Sequence, residues 1–479
     1  MSTLKIYNTL TKTMEEFIPG GVKKNRIEDY PEVSIYSCGP TVYNFAHIGN
    51  FRTFTFNDML RRYLKFRGYK VNHTLNLTDV DDKTINGAKA ENKSLKEYTD
   101  RFIEFFKEDL KTLNFDEFEH YPRATESIPE MADIIDRLEK NGFTYEKDNS
   151  IYFSIAKWDH YGQLSELDKR EIQTGTRYDT DEYEKDDIRD FVLWKAPKSE
   201  DEPQWEINQG SGRPGWHIEC SAMIRKIYGT TIDIHTGGVD LIFPHHENEI
   251  AQSEAAYGEK FVRYWMHVKH LFVEGAKMSK SKGTFYTIRD LVEKGYSPRS
   301  IRYLLFSAHY RKQLNFTLAG LDSIKQPLAR IDNFVARLKL TAEGCSSDDE
   351  IVSASGKFIS SFIETMDDDL NISGALGNLF DYIHEINSII DQTGITENGS
   401  RLVYDTLKKA DSVFGFIFFN DSKDTNTDID AERIEKMIAE RKEAKAAKNF
   451  AAADSIRDAL LSEGIILEDG KDGTTWKRK

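Results

Sequence analysis

Residues 33–38 alternate apolar and polar side chains as a strand does, and Phe56, Met59, Leu60, Tyr63 and Leu64 then recur at helical spacing up to Gly68. From 69 to 77 the pattern returns to that of a strand. Strand, tight loop, helix and strand in this order open a doubly wound parallel sheet, where ligands bind beyond the carboxyl ends of the strands. Between 115 and 206 the chain turns acidic and irregular, with short aromatic strands around Tyr152 and Phe191, and reads as an insertion. Strand-like runs resume at 232–235 and 271–273, which we expect to complete the parallel sheet. From about Thr317 long amphipathic helices take over, at 324–340 and 358–366, and predict a helical bundle. A polar stretch at 420–430 reads as a linker, and the last fifty or so residues predict a helix-rich tail ending in short strands. No internal repeat is visible.

The 479 residues suit two to four domains rather than one core, and 39% hydrophobic content allows each to be well buried. No run approaches the roughly 20 apolar residues of a membrane span, and the first residues lack an export signal, so the expected compartment is the cytoplasm. Three cysteines, Cys38, Cys220 and Cys345, do not make a disulfide framework and leave metal binding or catalysis open. A formal net charge of -15 argues against a generic nucleic-acid coat, so any RNA contact must be local. The candidates are a basic face of Arg441, Lys442, Lys445 and Lys448, and the terminal run Trp476, Lys477, Arg478 and Lys479.

Three constellations could carry chemistry. The first is the loop from Gly39 to Asn50, which joins the first strand to its helix. Gly49 would let a base approach the backbone, and His47 and Asn50 would stand near a helix N-terminus that favours phosphate. It is not the Gly-x-Gly-x-x-Gly of dinucleotide binders. The second is Lys277-Met278-Ser279-Lys280-Ser281-Lys282-Gly283, either a solvated loop or one that closes over a nucleotide and sets ammonium groups on developing charge. The third is Phe243-Pro244-His245-His246-Glu247-Asn248-Glu249, whose proline suits the first turn of a helix. His245 and Glu249 then share a face, and with Cys38 and Cys220 they make a tetrahedral set that zinc accepts. Each pattern alone also fits a turn histidine, a surface pair or a buried filler cysteine. Cys345 lies in a small polar loop and is left out.

Together, however, these segments resemble the cysteinyl-tRNA synthetases, a family of class I aminoacyl-tRNA synthetases, over nearly the whole chain. Further blocks in shared order are Thr78-Asp79-Val80-Asp81-Asp82-Lys83, Gly215-Trp216-His217-Ile218-Glu219-Cys220-Ser221, His309-Tyr310-Arg311, Met366-Asp367-Asp368-Asp369-Leu370-Asn371 and Ala451-Ala452-Ala453-Asp454. One departure stands out: the second histidine of the class pattern His-Ile-Gly-His is Asn50 here, which can still hydrogen-bond but cannot titrate.

The resemblance implies a Rossmann-like catalytic domain at 1–114 and 207–265, with an inserted connective subdomain at 115–206. It implies a signature-loop and stem-contact region at 266–316, a helical bundle at 317–420 and a C-terminal anticodon-side domain at 431–479. It implies that cysteine attacks the α-phosphate of ATP, and that the adenylate then passes to the 3′-terminal ribose of tRNA(Cys). His47, Lys277 and Lys280 would stabilise the phosphorus centre, with Mg²⁺ accompanying ATP. Gly49 and Asn50 would seat the nucleotide, Asp240 would hold the ATP ribose or the amino group of the amino acid, and Thr41, Trp216 and His235 would wall the amino-acid pocket. One zinc per chain, on Cys38, Cys220, His245 and Glu249, would read the substrate thiolate. The tail, with Arg441, Lys442, Lys445, Trp476, Lys477 and Arg478, would touch the anticodon side, and the protein would act as a monomer. Two rivals remain at this point: a ligase joining cysteine to an amino sugar, and an inactive RNA-binding relative.

Overall fold

The computed structural model describes residues 2–166, 190–199, 201–276, 284–339 and 348–419. In the C-terminal part it describes 434, 437–442, 444–445, 449–462, 465–470 and 473–478. The elements run β1 (Lys5–Asn8), β2 (Thr13–Glu16), β3 (Val33–Ser37), α1 (Ile48–Phe66), β4 (Val71–Leu75), α2 (Asp82–Ala90), α3 (Leu95–Thr112) and α4 (Ile128–Lys140). There follow β5 (Thr144–Lys147), β6 (Ser150–Phe153), β7 (Phe191–Lys195), β8 (Trp205–Ile207), β9 (Gly210–Pro214), α5 (Trp216–Tyr228), β10 (Ile232–Gly238), α6 (Glu247–Tyr257), β11 (Val262–Val268) and β12 (Leu271–Val273). Then come α7 (Ile288–Glu293), α8 (Pro298–Phe306), β13 (Leu314–Phe316), α9 (Leu318–Ser323), α10 (Lys325–Leu338), α11 (Asp349–Asp367), α12 (Ile372–Thr393), α13 (Glu397–Phe414), α14 (Phe450–Ser462), β14 (Ile465–Gly470) and β15 (Gly473–Arg478).

The central sheet is wholly parallel in the order β11-β10-β3-β4. Parallel strands covered on both faces read as continuous buried runs, and β3 and β10 do so: Val33, Ile35, Tyr36 and Ile234 are all buried. Register partners Tyr36, His235 and Trp265 face one way, where Met223 and Ile224 of α5 and Ile250 of α6 cover them. Thr236 faces the other way and donates its hydroxyl to Asn57 of α1 at 2.8 Å. The fourth strand is β11, not the expected run at 271–273, which pairs with β13 instead. Arg263 and His267 interrupt the apolar run of β11 and hide its strand character.

The inserted part is an antiparallel sheet in the order β5-β6-β7-β9-β8. Its core joins Phe153, Leu193 and Trp194 to Met131 and Ile135 of α4. This sheet continues past the expected limit at 206 as far as Pro214, because the sequence of β9, Gly-Ser-Gly-Arg-Pro, carries no apolar strand signature.

A buried ionic knot ties α1 to α8. Asp58 accepts from Arg62 Nε at 2.9 Å, from the Arg302 guanidinium and from the Asp116 amide, and the two arginines hold its carboxyl below the usual range against the opposing pull of burial. A second knot joins the start of the chain to the bundle of α10–α13. Asp369 N–H donates to the Lys5 carbonyl at 2.9 Å, Tyr7 N–H donates to Asp369 Oδ1 at 2.8 Å, and Ser2 donates to Asp367. The chain divides into two compact units, 1–417 and 418–479. In the second, Leu460 of α14 packs with Ile434 and Ile438, and β14 and β15 form an antiparallel pair.

Candidate functional site

A cavity of about 270 Å³ opens beyond the carboxyl ends of β3 and β10. Its floor is set by close backbone approach. The Gly39 amide donates to Asn76 Oδ1 at 2.7 Å, and a Cβ at Gly39 would collide with the Asn76 carbonyl oxygen at 1.8 Å. Thr41, His47, Gly49, Asn50, Trp216 and Asp240 all line this cavity, together with Cys38, Cys220 and His245.

His47 and Asn50 form a reciprocal cap on α1. The Asn50 amide donates to His47 Nδ1 at 3.2 Å, and the His47 amide donates to Asn50 Oδ1 at 3.1 Å. An accepting Nδ1 carries no proton, so His47 is neutral with its proton on Nε2, a donor on a pocket-lining ring. Asn50 thus does a structural job that a side-chain amide does well. The same N-terminus abuts the chain just after the lysine-rich loop: Ile48 N–H donates to the Tyr286 carbonyl at 2.9 Å, and the His47 ring meets Phe285 edge-on at 5.3 Å. Lys277 and Lys280 themselves lie outside the described residues.

At the deep end the donors converge. His245 Nε2 lies 3.0 Å from Glu249 Oε1 and 3.5 Å from Cys220 Sγ, and Cys38 Sγ lies 3.3 Å from His246 Nε2. Donor atoms of Cys38, His245, His246 and Glu249 all fall within 4.8 Å of one another, and all four residues are buried. Glu249 Oε1 faces His245 without the alignment of a hydrogen bond. Two unbridged thiols, imidazoles and a carboxylate aimed at one another out of water make a donor set that fits a soft or borderline divalent metal ion. The bond from Cys38, helped by His245 and opposed by burial, lowers the Cys220 thiol to about 6, while burial and Cys220 push Cys38 well up. Burial works against charge on His245, but Glu249 and Cys220 prevail and raise it to about 10.

The structure corrects three readings of the sequence. Pro244 is not in the first turn of α6; it follows a cis Phe243–Pro244 bond in a wide turn at 242–246, and α6 begins at Glu247. His235 does not wall the pocket. Fully buried, it stacks on Trp265 with ring centroids 4.5 Å apart and holds Glu249 Oε2 at 3.0 Å from behind. Arg441 is 4% exposed and cannot belong to an open basic face: Ile434, Ile438 and Arg441 fall at i, i+4 and i+7 on the inward side of their helix, while Lys442 and Lys445 are exposed. Trp476, Lys477 and Arg478 belong to β15, and their side chains lie outside the described residues, as do Lys448 and Lys479.

Sequence reasoning missed His246, His217 and His267. His246 Nδ1 meets His267 Nε2 at 2.8 Å, and His267 Nδ1 meets Thr9 Oγ1 at 2.9 Å, a second row that orients the imidazoles. His217 Nδ1 stands 3.0 Å from His245 Nδ1. The adjacent pair His245-His246 was the available signal.

Residues 25–326 match the family described as tRNA synthetases class I (C) catalytic domain, and residues 361–419 match the DALR domain. The chain is 50% identical to a cysteine-tRNA ligase of Leptospira interrogans, with 100% of each chain covered. It is 48% identical to that of Solibacter usitatus, over 99% of this chain and 100% of the relative. Among solved structures, Mycobacterium tuberculosis methionyl-tRNA synthetase in complex with methionyl-adenylate shares the fold at a TM-score of 0.58 and 13% identity, over 81% of this chain and 90% of that one.

Proposed function

Because the chain belongs to the cysteine-tRNA ligases, a class I aminoacyl-tRNA synthetase family, we propose that the cavity beyond β3 and β10 is where it activates L-cysteine with ATP and loads it onto tRNA(Cys). The observation that carries this reading is that one cavity is lined both by the cap of α1, which suits phosphate, and by two cysteines and a histidine, which suit a metal.

ATP lies along the start of α1, where the helix dipole favours its phosphates. His47 donates from Nε2 to a phosphate oxygen as negative charge builds at the phosphorus, and needs no proton exchange to do so. Asn50 fixes the tautomer of His47 through the cap. Lys277 and Lys280 bring two further positive charges to that centre, and Mg²⁺ enters with the nucleotide. Gly49 and Asp240 seat the nucleoside, and Thr41 and Trp216 wall the amino-acid pocket. Neither chemical step calls on a protein nucleophile.

Cys38, Cys220, His245 and Glu249 hold one zinc ion, with His235 positioning Glu249 and His246 beside Cys38. Zinc when bound supplies a soft Lewis acid that prefers a thiolate to a serine hydroxyl. Pocket shape alone separates such isosteric pairs by only about 1–3 kcal/mol. The substrates place the reaction in the cytoplasm, and Lys442, Lys445 and the β15 residues Trp476, Lys477 and Arg478 contact tRNA. Charging of total tRNA with radiolabelled cysteine, and with serine in parallel, tests the reading. Cysteine is expected to be loaded and serine to stay at background. Loading of both would remove the metal-based selectivity, and loading of neither would remove the function.

A further inference from the structure

Tyr36 of β3 is wholly buried, yet its hydroxyl makes no aligned hydrogen bond. A buried tyrosine usually finds a partner, and others in this chain have done so. The Tyr63 and Tyr310 hydroxyls donate to Asp367 and Asp369, each at 2.6 Å, and that of Tyr382 meets the Ser355 hydroxyl at 2.7 Å. A polar group kept out of water without such a bond costs stability, and its surroundings supply the reason for keeping it. Tyr36 precedes Cys38 by two residues and so shares its face of the sheet, where both join Cys220 and Met223 of α5 in one buried cluster. The Tyr36 ring meets that of His235 edge-on at 5.2 Å, and its hydroxyl faces Cys220, within the field of Cys38 and Glu249.

The charge of the donor set gives this hydroxyl a task. Two thiolates and a carboxylate on a divalent ion already leave negative charge in excess, and a substrate thiolate would add more, all of it out of water. Two of the three anionic donors have an imidazole behind them: His235 Nε2 lies 3.0 Å from Glu249 Oε2, and His246 Nε2 lies 3.3 Å from Cys38 Sγ. Outer partners of this kind orient a ligand and tune the ion it holds. The third donor, Cys220, has the Tyr36 hydroxyl in the matching place. A phenolic O–H has a proton to give, and bonds to an ionised acceptor are stronger than bonds to a neutral one. Metal binding holds a cysteine in its thiolate form, so the ion and the hydroxyl favour each other.

We propose that Tyr36 is a positioning residue of the metal site: its hydroxyl donates to the Cys220 sulfur and draws charge from it, so that zinc can take the substrate's sulfur as a further ligand. This rests on the zinc reading above. Wholly buried and outside the cavity lining, Tyr36 acts only through Cys220.

Tyr36→Phe keeps the ring and removes only the oxygen. Zinc affinity, measured by competition with a chelator, is expected to fall about tenfold, the lower end of what losing an outer partner costs. In the cobalt-loaded protein the sulfur-to-metal charge-transfer band should move to longer wavelength, because a thiolate without its hydrogen bond gives up electrons more readily. The KM for cysteine should rise while that for ATP stays within about twofold, which also shows that the variant is folded. Unchanged zinc affinity would overturn the bond. Weaker zinc binding with an unmoved band would overturn it too, and would leave Tyr36 a packing residue. An unsubstituted protein that retained no zinc would instead overturn the metal reading beneath.

Discussion

Cys220 is the residue whose replacement separates the metal's part in the site from the nucleotide's. Cys220→Ser keeps the size of the side chain but removes a soft ligand. Outer partners of a metal site already cost about ten- to a hundredfold in affinity when lost, and a direct ligand should cost at least as much. Zinc content after dialysis is therefore expected to fall well below one per chain, and the KM for cysteine to rise, while ATP affinity moves by less than about twofold, within the ±0.5 kcal/mol typical of substitutions away from a feature. Full zinc occupancy in the variant would strike Cys220 from the ligand set. That Cys38, His245 and Glu249 could converge was legible in the sequence because residue type and an i, i+4 spacing carry that chemistry, and the structure brings them together. His246 was not: on a regular helix neighbours are turned about 100° apart, so a site that takes one histidine loses the next. In the structure both imidazoles nonetheless reach the cluster, with Cys38 Sγ 3.3 Å from His246 Nε2 and Glu249 Oε1 3.0 Å from His245 Nε2. His235 was legible as a residue near the site but misjudged in role, since whether a strand residue fronts or backs a cavity depends on helices that pack later in the chain.

Among the elements, α3 and α7 meet through an ion pair, buried on the Asp109 side, that has a pH signature. Asp109 of α3 lies 2.9 Å from Arg289 of α7, yet burial outweighs the arginine and pushes its carboxyl up to about 6. A carboxyl whose folded pKa exceeds its unfolded value, about 3.9, contributes stability below pH 4 that is lost as pH rises through 6. Asp109→Asn cannot ionise, so its stability relative to the unsubstituted protein should climb between pH 4 and 7, by up to about 3 kcal/mol for a shift of about two units. The loss of Arg289's partner adds only an offset independent of pH. Urea unfolding at several pH values measures the difference, and a flat profile would contradict the assignment. Strands β3 and β10 and helix α1 were readable from periodicity alone. Strand β11 and strand β9 were not: the first carries Arg263 and His267 within a buried strand, and the second is built of glycine, serine, arginine and proline. Both depend on partners distant in sequence, which local pattern cannot see.

For the molecule as a whole, the separation at 417 predicts separable activities. A chain ending before Ala431 keeps every described residue of the cavity and loses only residues of the second unit. It is expected to form adenylate at the normal rate in pyrophosphate exchange, while kcat/KM for tRNA in charging drops about tenfold or more, the effect of about 1.4 kcal/mol of lost contact. Equal losses in both assays would show that the tail supports the catalytic half instead. The order of parallel sheet, inserted sheet and long helices was readable from the drift of composition and periodicity along the chain, because each stretch carries its own period. The ties between them were not, since Lys5, Tyr7 and Asp369 look like ordinary strand and loop residues until the chain closes on itself.

That closure has a temporal side. The backbone of Lys5 and Tyr7 is held by Asp369, and Ser2 by Asp367, so Tyr7 finds its partner only after 362 further residues have been made. Neighbouring Asn8 completes the exposed edge of β11, accepting from the Trp265 amide at 3.1 Å and donating to the Arg263 carbonyl at 3.0 Å. Until translation reaches the bundle, that strand edge is guarded by a segment that is itself not yet anchored, a template for mispairing with other nascent chains. Slow translation or a stall between β11 and Asp369 should therefore leave an aggregation-prone intermediate, whereas release beyond that point lets the amino terminus lock and the edge close.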